Sequence, residues 1–313
     1  MKNHRYLSAV AAGAILVTSV AAHAADKPVI GLIQANQQAL YFVQLGQGAQ
    51  AEADKRGFKL VVFDANNDTA AQNNAIETYT QQKVMGIVVD ALDRNGIMPD
   101  VKAAAAAGIY VSAVDTILPD GPQIAQVGVD SEAAGAIMGH FFVDYVAAHG
   151  GKAKVGIVGA LNSSSQNERQ KGFEDVAKSA PGVVMAGVVD GRNIQDNAMS
   201  AAENLITGNP DLTAIYATGE PALIGAAAAV ESQGKQDQIK IFGWDLSASA
   251  IKGIDAGYVV GIIQQDPAGM GAAAVDAIAD AASGKVPATT AVINVPVATV
   301  TKVNVGPYRD AFK

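Results

Sequence analysis

The sequence alternates between short runs rich in Val and Ile and longer stretches rich in Ala along most of its 313 residues. The apolar runs are continuous and do not alternate with polar residues, which is typical of parallel β-strands covered on both faces. This alternation of strands and helices predicts an α/β protein with doubly wound, Rossmann-like parallel sheets. The predicted strands are residues 29–33, 59–64, 85–90, 109–115, 124–129, 154–159, 183–189, 214–217, 239–244 and 259–264.

The Ala-rich stretches have the spacing of helices that pack one face against a sheet. In the first of them, Leu45, Ala49 and Ala53 recur on one face. Several stretches end at a glycine, such as Gly57 and Gly234, which is a common way to terminate a helix. The predicted helices include residues 41–56, 70–83, 131–149, 167–179, 196–207 and 221–233.

The number of strands predicts two lobes, because about ten strands are too many for one compact sheet of this type. The pattern is also interrupted at residues 118–122, a turn-rich stretch, and a new series of strand–helix units begins at Lys154. We therefore expect two successive α/β lobes of similar size. A last apolar run, residues 292–300 with Pro296 inside it, is expected to form a late edge or crossover strand.

The first 24 residues have the three parts of a secretory signal peptide. A positive start that includes Lys2 and Arg5 precedes an apolar run over residues 7–20, and Ala22-His23-Ala24 offers small residues for cleavage. A membrane-spanning helix is the weaker interpretation, since it needs about 20 apolar residues. We expect cleavage near Ala24 and export to the periplasm without a lipid anchor, because no Cys follows the apolar run.

The charge and the missing residue types exclude several functions. The formal charge is −8, and cleavage would remove two basic residues and give 20 − 30 = −10, so nucleic acid is not an expected partner. The absence of Cys excludes disulfides and thiol chemistry. Common nucleotide-binding, hydrolase and metalloprotease motifs are missing, and His140 and His149 are half a turn out of phase on one predicted helix. We therefore expect no enzyme activity, no cofactor and no metal, although a pair of catalytic carboxylates stays open.

Acids and amides recur where the predicted strands end. In open parallel sheets ligands bind beyond these carboxyl ends, so the residues there are candidates for a binding site. Each Asp has an alternative role as a helix cap or in a turn. The candidates are Gln34, Asp64, Asp90, Asp115, Asn162, Asp190, Glu220, Asp245, Gln264, Gln265 and Asp266.

These residue types suit a ligand with many hydroxyl groups. Carboxylates and amides accept hydrogen bonds from hydroxyls, and Arg169 supplies donors in a fixed geometry. Tyr41 and Phe42 begin the first predicted helix and could pack on the apolar face of a sugar, or else belong to the core. Trp244 precedes Asp245 in a strand, so its side chain is expected to point the other way and to pack.

With these residues in place, the sequence resembles a known family, the periplasmic sugar-binding proteins of ABC transporters. Within that family it is most similar to the ribose-binding branch of the type I fold. The likeness covers roughly residues 27–300, and its pieces occur in order at matching spacing. Its densest stretches are residues 41–43, 48–57, 60–64, 114–115, 129–130, 168–169, 172–173 and 243–245, with Gln265 ahead of Pro267.

The resemblance implies a set of ligand-binding positions in this sequence. The family's aromatic pair falls on Tyr41 and Phe42, and its hinge amide falls on Gln265. The other implied positions, together with the neighbouring acid Glu220, are Asp90, Asp115, Arg169, Asn193 and Asp245. The chain departs from the family's pattern at Ala39, Thr116, Asn193 and Gly219, where the family has Asn, Arg, an aromatic residue and Asn. These departures argue against assigning ribose itself, whereas a polyhydroxylated ligand is still expected.

The resemblance also implies two lobes joined by a three-crossing hinge. We expect the N-terminal lobe to comprise residues 25–129 with 266–294, and the C-terminal lobe residues 130–265 with 295–313. The ligand would contact both lobes and favour closure of the hinge. The receptor, expected to be a monomer, would then deliver the ligand to an inner-membrane ABC permease with its ATPase. The alternatives are a receptor for an amine-bearing or furanose-like signalling ligand, and a periplasmic hydrolase. A DNA-binding regulator would need a helix-turn-helix where the signal segment lies.

The charge of the expected site limits the ligand further. Four carboxylates beside Arg169 alone would give a formal charge of −3, and unpaired buried carboxylates are costly. Either some acids point elsewhere, or the ligand brings many hydroxyl donors or a positive charge. Phosphorylated and acidic sugars are disfavoured for the same reason.

Overall fold

Strands and helices alternate throughout residues 27–312, the part of the chain that the computed structural model describes. The expected signal peptide lies outside these residues. The first series of elements is β1 (Val29–Gln34), α1 (Leu40–Arg56), β2 (Lys59–Asp64), α2 (Thr69–Gln81), β3 (Gly86–Val89), α3 (Met98–Ala106), β4 (Tyr110–Asp115) and β5 (Ala125–Gly128). The second series is α4 (Ser131–Ala148), β6 (Ala153–Gly159), α5 (Ser164–Ala177), β7 (Val183–Asp190), α6 (Gln195–Gly208), β8 (Ala214–Ala217), α7 (Glu220–Ser232), β9 (Lys240–Trp244), α8 (Ala248–Ala256) and β10 (Val259–Gln264). Three elements follow: α9 (Pro267–Ala282), β11 (Ala291–Asn294) and β12 (Ala298–Val300).

The strands form two six-stranded sheets with the same strand order. The first has the order β2-β1-β3-β4-β5-β11, and the second has the order β7-β6-β8-β9-β10-β12. Every pairing is parallel except that of β10 with β12. Each sheet therefore has a switch in strand order between its first and third strands, the position where α/β sheets bind ligands. The predicted fold class, two doubly wound lobes, is confirmed.

The chain passes between the sheets three times. It leaves the first sheet after Gly128, returns after Gln264, and crosses again between Asn294 and Ala298. The apolar run over residues 292–300 is therefore not one strand, because it divides around Pro296 into an edge strand of each sheet. Proline has no N–H to donate to a ladder, and it lies in the segment between the two pairings.

Most of the predicted helices form with small shifts at their ends, and three more occur. Helix α5 begins three residues earlier than expected, because the Ser163 hydroxyl caps it by accepting from the Gln166 amide. Helices α3, α8 and α9 were not singled out from the sequence. Gly57 ends α1 with a φ of 81°, as its position after a basic turn predicts.

Close packing of α4 on α5 fixes the second lobe beside the cleft. A Cβ on Gly135 would overlap the backbone carbonyl of Arg169, and a Cβ on Gly172 would overlap that of Glu132. Only glycine permits this approach at these positions. Beneath the pair, Phe142, Phe173 and neighbouring aromatic rings are fully buried. The position of the Arg169 backbone is thus set by helix packing.

Candidate binding site between the lobes

The carboxyl ends of the strands of both sheets face one cavity between the lobes. The space between the lobes, including its opening to solvent, is about 400 Å³. Its lining comes from both lobes: Ala35, Ala39, Tyr41, Phe42, Asp90, Ala91, Leu92, Asp115, Ser163, Ser165, Gln166, Arg169, Asn193, Gly219, Glu220, Pro221 and Asp245. Eight of the nine residues singled out from the sequence are therefore brought together. The ninth, Gln265, lies behind the lining in contact with Asp245.

Asp115 and Asp245 occupy equivalent positions at the ends of β4 and β9. Both have a left-handed backbone with a φ of 61°, which is uncommon for a residue other than glycine. Both are almost completely buried. Backbone strain of this kind persists only where the surrounding structure enforces it, and it often accompanies a binding site. The two lobes thus present one carboxyl group each by the same local device.

The aromatic pair lies on the first-lobe side. Tyr41 and Phe42 are buried in the first turn of α1, with ring centroids 5.1 Å apart and planes at 89°. The Tyr41 hydroxyl donates to Asp115 Oδ1 at 2.9 Å. Burial raises the pKa of Tyr41 well above its ordinary value, reinforced by Asp115 and Asp90, so this hydroxyl stays protonated. Asp115 is therefore held by a neutral donor from its own lobe.

Arg169 is the cation of the cavity and is held by the second lobe. Its guanidinium lies 3.9 Å from the centroid of the Trp244 ring. It donates to Asp115 Oδ1 and to Gln265 Oε1 at 3.4 Å each, and to the Thr218 carbonyl at 3.3 Å. Within residues 27–312, its buried Nε–H has no hydrogen-bond partner. Arg169 thus carries an unused donor beside a bond that spans the two lobes.

Trp244 is fully buried, as its strand position predicts. Its Nε1–H donates to the Tyr216 hydroxyl at 2.7 Å, which fixes the ring beneath Arg169. The strand position predicted packing for Trp244 but did not predict its cation–π contact with the Arg169 guanidinium. Cation–π contacts of this kind are strongest when the cation is desolvated, as it is here.

The other three acids of the cavity are positioned by neighbouring amides. The Gln265 side chain donates to both Asp245 oxygens, at 3.1 and 3.2 Å. Asp90, in the first lobe, accepts from the Ala35 amide at 3.3 Å. Glu220 begins α7 in the second lobe and accepts from the Tyr41 amide in the first lobe at 2.9 Å.

Four carboxyl groups and one guanidinium line the cavity, which gives the formal charge of −3 that the sequence predicts. Burial raises the pKa of Asp90 well above its usual range, with a further contribution from the charge of Asp115. Burial also raises the pKa of Asp245 to about 7, although Arg169 opposes the shift. The pKa of Glu220 is raised by burial as well, against the backbone donors that favour its charged form. Partial protonation of Asp245 therefore reduces the negative charge near neutral pH.

A polar cluster that was not predicted from the sequence lies at the start of α5. The Gln166 side chain donates to Asn193 Oδ1 at 2.8 Å and accepts from the Thr218 hydroxyl at 2.7 Å. The Ser165 hydroxyl lies 3.5 Å from Asp115 Oδ2. The pattern Ser163-x-x-Gln166 is a typical helix-start signal and could have pointed to this end of α5.

Three of the candidate acids at strand ends turn away from the cavity, and one of them, Asp266, caps α9 by accepting from the Gly269 amide. Asp64 accepts from the Asn66 amide at 2.8 Å, and Asp190 accepts from the amides of Leu161 and Arg192. Both side chains are exposed. These acids have the alternative role in local turns that Asp often takes after a strand.

The lobes also contact each other at the rim of the cavity. The Ser164 amide donates to the Leu92 carbonyl at 2.9 Å, and the Asn193 side chain donates to Asn67 Oδ1 at 3.1 Å. Arg94 and Glu168 form an ion pair between the lobes. The cleft is therefore in a closed arrangement.

Neither a metal centre nor a membrane span is found in the described part of the chain. Residues 27–312 contain no group of three or more His, Asp or Glu side chains that could hold a metal ion. Over the same residues, none of the helices combines the length and the apolar character needed to cross a bilayer.

Two doubly wound lobes that enclose a buried polar cavity at their strand ends define a ligand-binding protein. The sequence profile of the family described as "Periplasmic binding protein domain" matches residues 30–286, so the chain belongs to that family. The resemblance seen in the sequence is thereby confirmed.

Curated relatives and a solved structure are similar over most of their length. The chain is 30% identical over 257 residues to the ribose import binding protein of Bacillus subtilis (strain 168), covering 82% of each chain. It is 27% identical over 292 residues to the D-allose-binding periplasmic protein of Escherichia coli (strain K12), covering 90% of this chain and 92% of that one. An ABC transporter solute binding protein from Mycobacterium smegmatis with bound glycerol is 27% identical, with a TM-score of 0.81 and coverage of 90% and 96%.

Proposed function

We propose that the protein is an exported solute-binding protein of an ABC transporter that captures a neutral monosaccharide or polyol between its lobes. The observation that carries this proposal is the convergence of acids, amides and one guanidinium on one cavity between the lobes. The names of the two curated relatives, which refer to ribose and allose, support a sugar. The glycerol bound in the solved relative supports a polyol.

The lining matches the hydrogen-bonding capacity of a polyhydroxylated ligand. An ionised carboxylate accepts from hydroxyl groups, and a protonated one can also donate, so Asp90 and Asp245 can serve hydroxyls in either state. The free Nε–H of Arg169, unpaired within residues 27–312, offers a donor to a hydroxyl or ring oxygen. Tyr41 and Phe42 offer apolar surface to the C–H groups of the ligand. We expect all nine ligand-binding positions implied by the resemblance to act in binding, some by touching the ligand and others, such as Gln265 behind Asp245, by positioning the site.

The electrostatics favour a neutral ligand over a charged one. An anionic ligand would add to the repulsion among four buried carboxyl groups that one guanidinium offsets. A cationic ligand would gain attraction, but burial raises the pKa of Asp245 to about 7, so a proton on Asp245 relieves part of this charge near neutral pH. An amine-bearing ligand is therefore the second candidate, and it rests on the formal charge of −3.

Binding is coupled to movement of the lobes about the three crossings. We propose that the lobes comprise residues 25–129 with 266–294, and residues 130–265 with 295–313. A ligand that contacts both lobes stabilises the closed form by its greater affinity for that form. The closed monomer would then be recognised by an inner-membrane permease with its ATPase. Export and cleavage near Ala24 would place this exchange in the periplasm.

A thermal-shift panel tests the proposal. We expect at least one of D-ribose, D-allose, D-arabinose, glycerol and myo-inositol to raise the melting temperature in proportion to the logarithm of its concentration. Asp115→Ala should remove this increase while the ligand-free variant stays folded. Asp64→Ala is the matched control, because Asp64 also follows a strand but lies exposed in a turn, and it should leave the increase unchanged.

Other outcomes of the panel would change the assignment. An increase with amines or nucleosides but with none of the sugars or polyols would contradict the proposed ligand class. Turnover of a sugar derivative, detected as released product, would revive the hydrolase alternative. An unchanged affinity in Asp115→Ala would remove Asp115 from the site.

A further inference from the structure

Helix α1 begins without a cap of its own. Ala39 occupies the N-cap position in an extended conformation, with no side chain that can accept a hydrogen bond, and the first turn contains no acid. The first amides of a helix have no partner inside the helix and need an acceptor from elsewhere. The usual source is a Ser, Thr, Asp or Asn at the N-cap itself. The start of α1 therefore depends on another part of the molecule.

That acceptor comes from the opposite lobe. Glu220 Oε2 accepts from the Tyr41 amide, the second of α1, at 2.9 Å across a sequence separation of 179 residues. Glu220 is the first residue of α7, which follows β8 of the second sheet, whereas α1 follows β1 of the first. Its side chain is almost completely buried. A carboxylate is also the group that the positive end of a helix attracts most.

We propose that Glu220 is a positioning residue for lobe closure, which it performs by capping α1 across the cleft. The inference rests on the proposed function and assigns this residue a role that differs from that of the other acids. The bond between Glu220 and the Tyr41 amide exists only when the lobes are together, so it stabilises the closed form itself. A ligand that binds the closed form has an apparent affinity in proportion to the population of that form. Loss of the cap should therefore weaken all ligands by one common factor.

A direct ligand contact would behave differently. Removing a carboxyl group that bonds a particular hydroxyl costs most for the ligands that carry this hydroxyl in the right place. The relevant comparison is thus the pattern of losses across ligands. Asp245, which touches no first-lobe amide in the hydrogen bonds of the described residues, provides the contrast.

The variants are measured by calorimetry with D-ribose, D-allose, D-arabinose and myo-inositol, using those that bind the wild type. Loss of an N-cap corresponds to a factor of about two to thirty in an equilibrium constant. We expect Glu220→Ala to lower every measurable affinity by the same factor in this range. Asp245→Asn should lower the affinities by factors that differ among the ligands. Glu231→Ala, at the far end of α7, is the matched control and should change none of them.

A second pair of variants separates closure from simple support of α1. Ala39→Ser gives α1 its own cap, since Ala39 already has an extended N-cap conformation. In the double variant with Glu220→Ala, we expect the melting temperature to recover while the ligand affinities stay below those of Ala39→Ser alone, which is the reference because Ala39 also lines the cavity. Recovery of both would mean that Glu220 only stabilises the helix, and this would overturn the proposal.

Small-angle X-ray scattering tests the inference without any ligand. We expect the ligand-free Glu220→Ala variant to have a larger radius of gyration than the ligand-free wild type. Equal radii together with unchanged affinities, or losses that differ strongly between ligands, would overturn the proposal. If no sugar binds the wild type, the proposed function fails, and the scattering comparison still decides the role of Glu220.

Discussion

The charge of Asp245 can be removed with almost no change in shape. The substitution Asp245→Asn keeps an oxygen that accepts from Gln265, whose side chain now lies 3.1 and 3.2 Å from the two carboxyl oxygens. Asp245 is 5% exposed, and burial raises its pKa to about 7. In an unfolded chain the same group would release its proton near pH 3.9, about the value of a free Asp side chain. The folded protein therefore binds more protons than the unfolded chain between these two values.

This difference fixes the sign and size of the effect. Because the folded state holds the extra proton, its free energy of unfolding falls as the pH rises through this window. The slope approaches about 1.4 kcal/mol per pH unit and flattens above the folded-state pKa. Between pH 5 and pH 8, the wild type should lose roughly 3 kcal/mol relative to Asp245→Asn. The contribution from Asp90 occurs in both proteins and cancels in the comparison, whereas that from Glu220, whose charge helps to raise the pKa of Asp245, cancels only in part.

The assay is urea unfolding followed by circular dichroism at several pH values, without ligand. We expect the stability of Asp245→Asn to exceed that of the wild type by an amount that grows with pH. Asp64→Asn, which changes an exposed acid after β2, should follow the wild type at a nearly constant difference. A constant difference between Asp245→Asn and the wild type from pH 5 to pH 8 would refute the reasoning about burial.

Three further substitutions test the supports of the site. Trp244→Phe replaces the indole ring under Arg169 with a smaller aromatic ring. Because a buried cation–π contact contributes about 0.5–2 kcal/mol, we expect calorimetry to show sugar binding weakened by about threefold to thirtyfold. An unchanged affinity would contradict this role of Trp244. Gly172→Ala places a methyl group against the Glu132 carbonyl. We expect urea unfolding to show a loss of about 1–3 kcal/mol in stability, and we expect weaker ligand binding. A variant as stable as the wild type would show that α4 and α5 can move apart without cost. Gln166→Leu removes the hydrogen-bond partner of two buried side chains, Asn193 and Thr218. We expect this to lower the free energy of unfolding by about 1–3 kcal/mol in the same assay. An unchanged free energy of unfolding would contradict the importance of this network at the start of α5.

The sequence predicted the parts of the site that follow from sheet geometry. Parallel strands bring their carboxyl ends to one edge, so Asp115 and Asp245 could be placed together without knowledge of their contacts. The same rule could not separate them from Asp64. The difference lies in the backbone after the strand, since Asp115 and Asp245 adopt a left-handed conformation and Asp64 bonds a turn amide instead. Such a choice depends on the surrounding packing.

The contacts between the lobes could not be predicted from local sequence patterns. The bond between Glu220 and the Tyr41 amide joins residues 179 positions apart, and it depends on Ala39 lacking a cap. Likewise, the run over residues 292–300 has the composition of one strand, but it divides because each sheet has an open edge that it can join. In both cases the outcome is decided by how two folded units meet.

Native mass spectrometry with an equimolar mixture of sugars, polyols, amines and nucleosides tests the central claim most directly. The account predicts one bound molecule per chain with the mass of a neutral monosaccharide or polyol, and its absence from the Asp115→Ala variant under the same conditions. Retention of an amine, a nucleoside or an acidic sugar in place of a neutral one, or equal retention by Asp115→Ala, would contradict it.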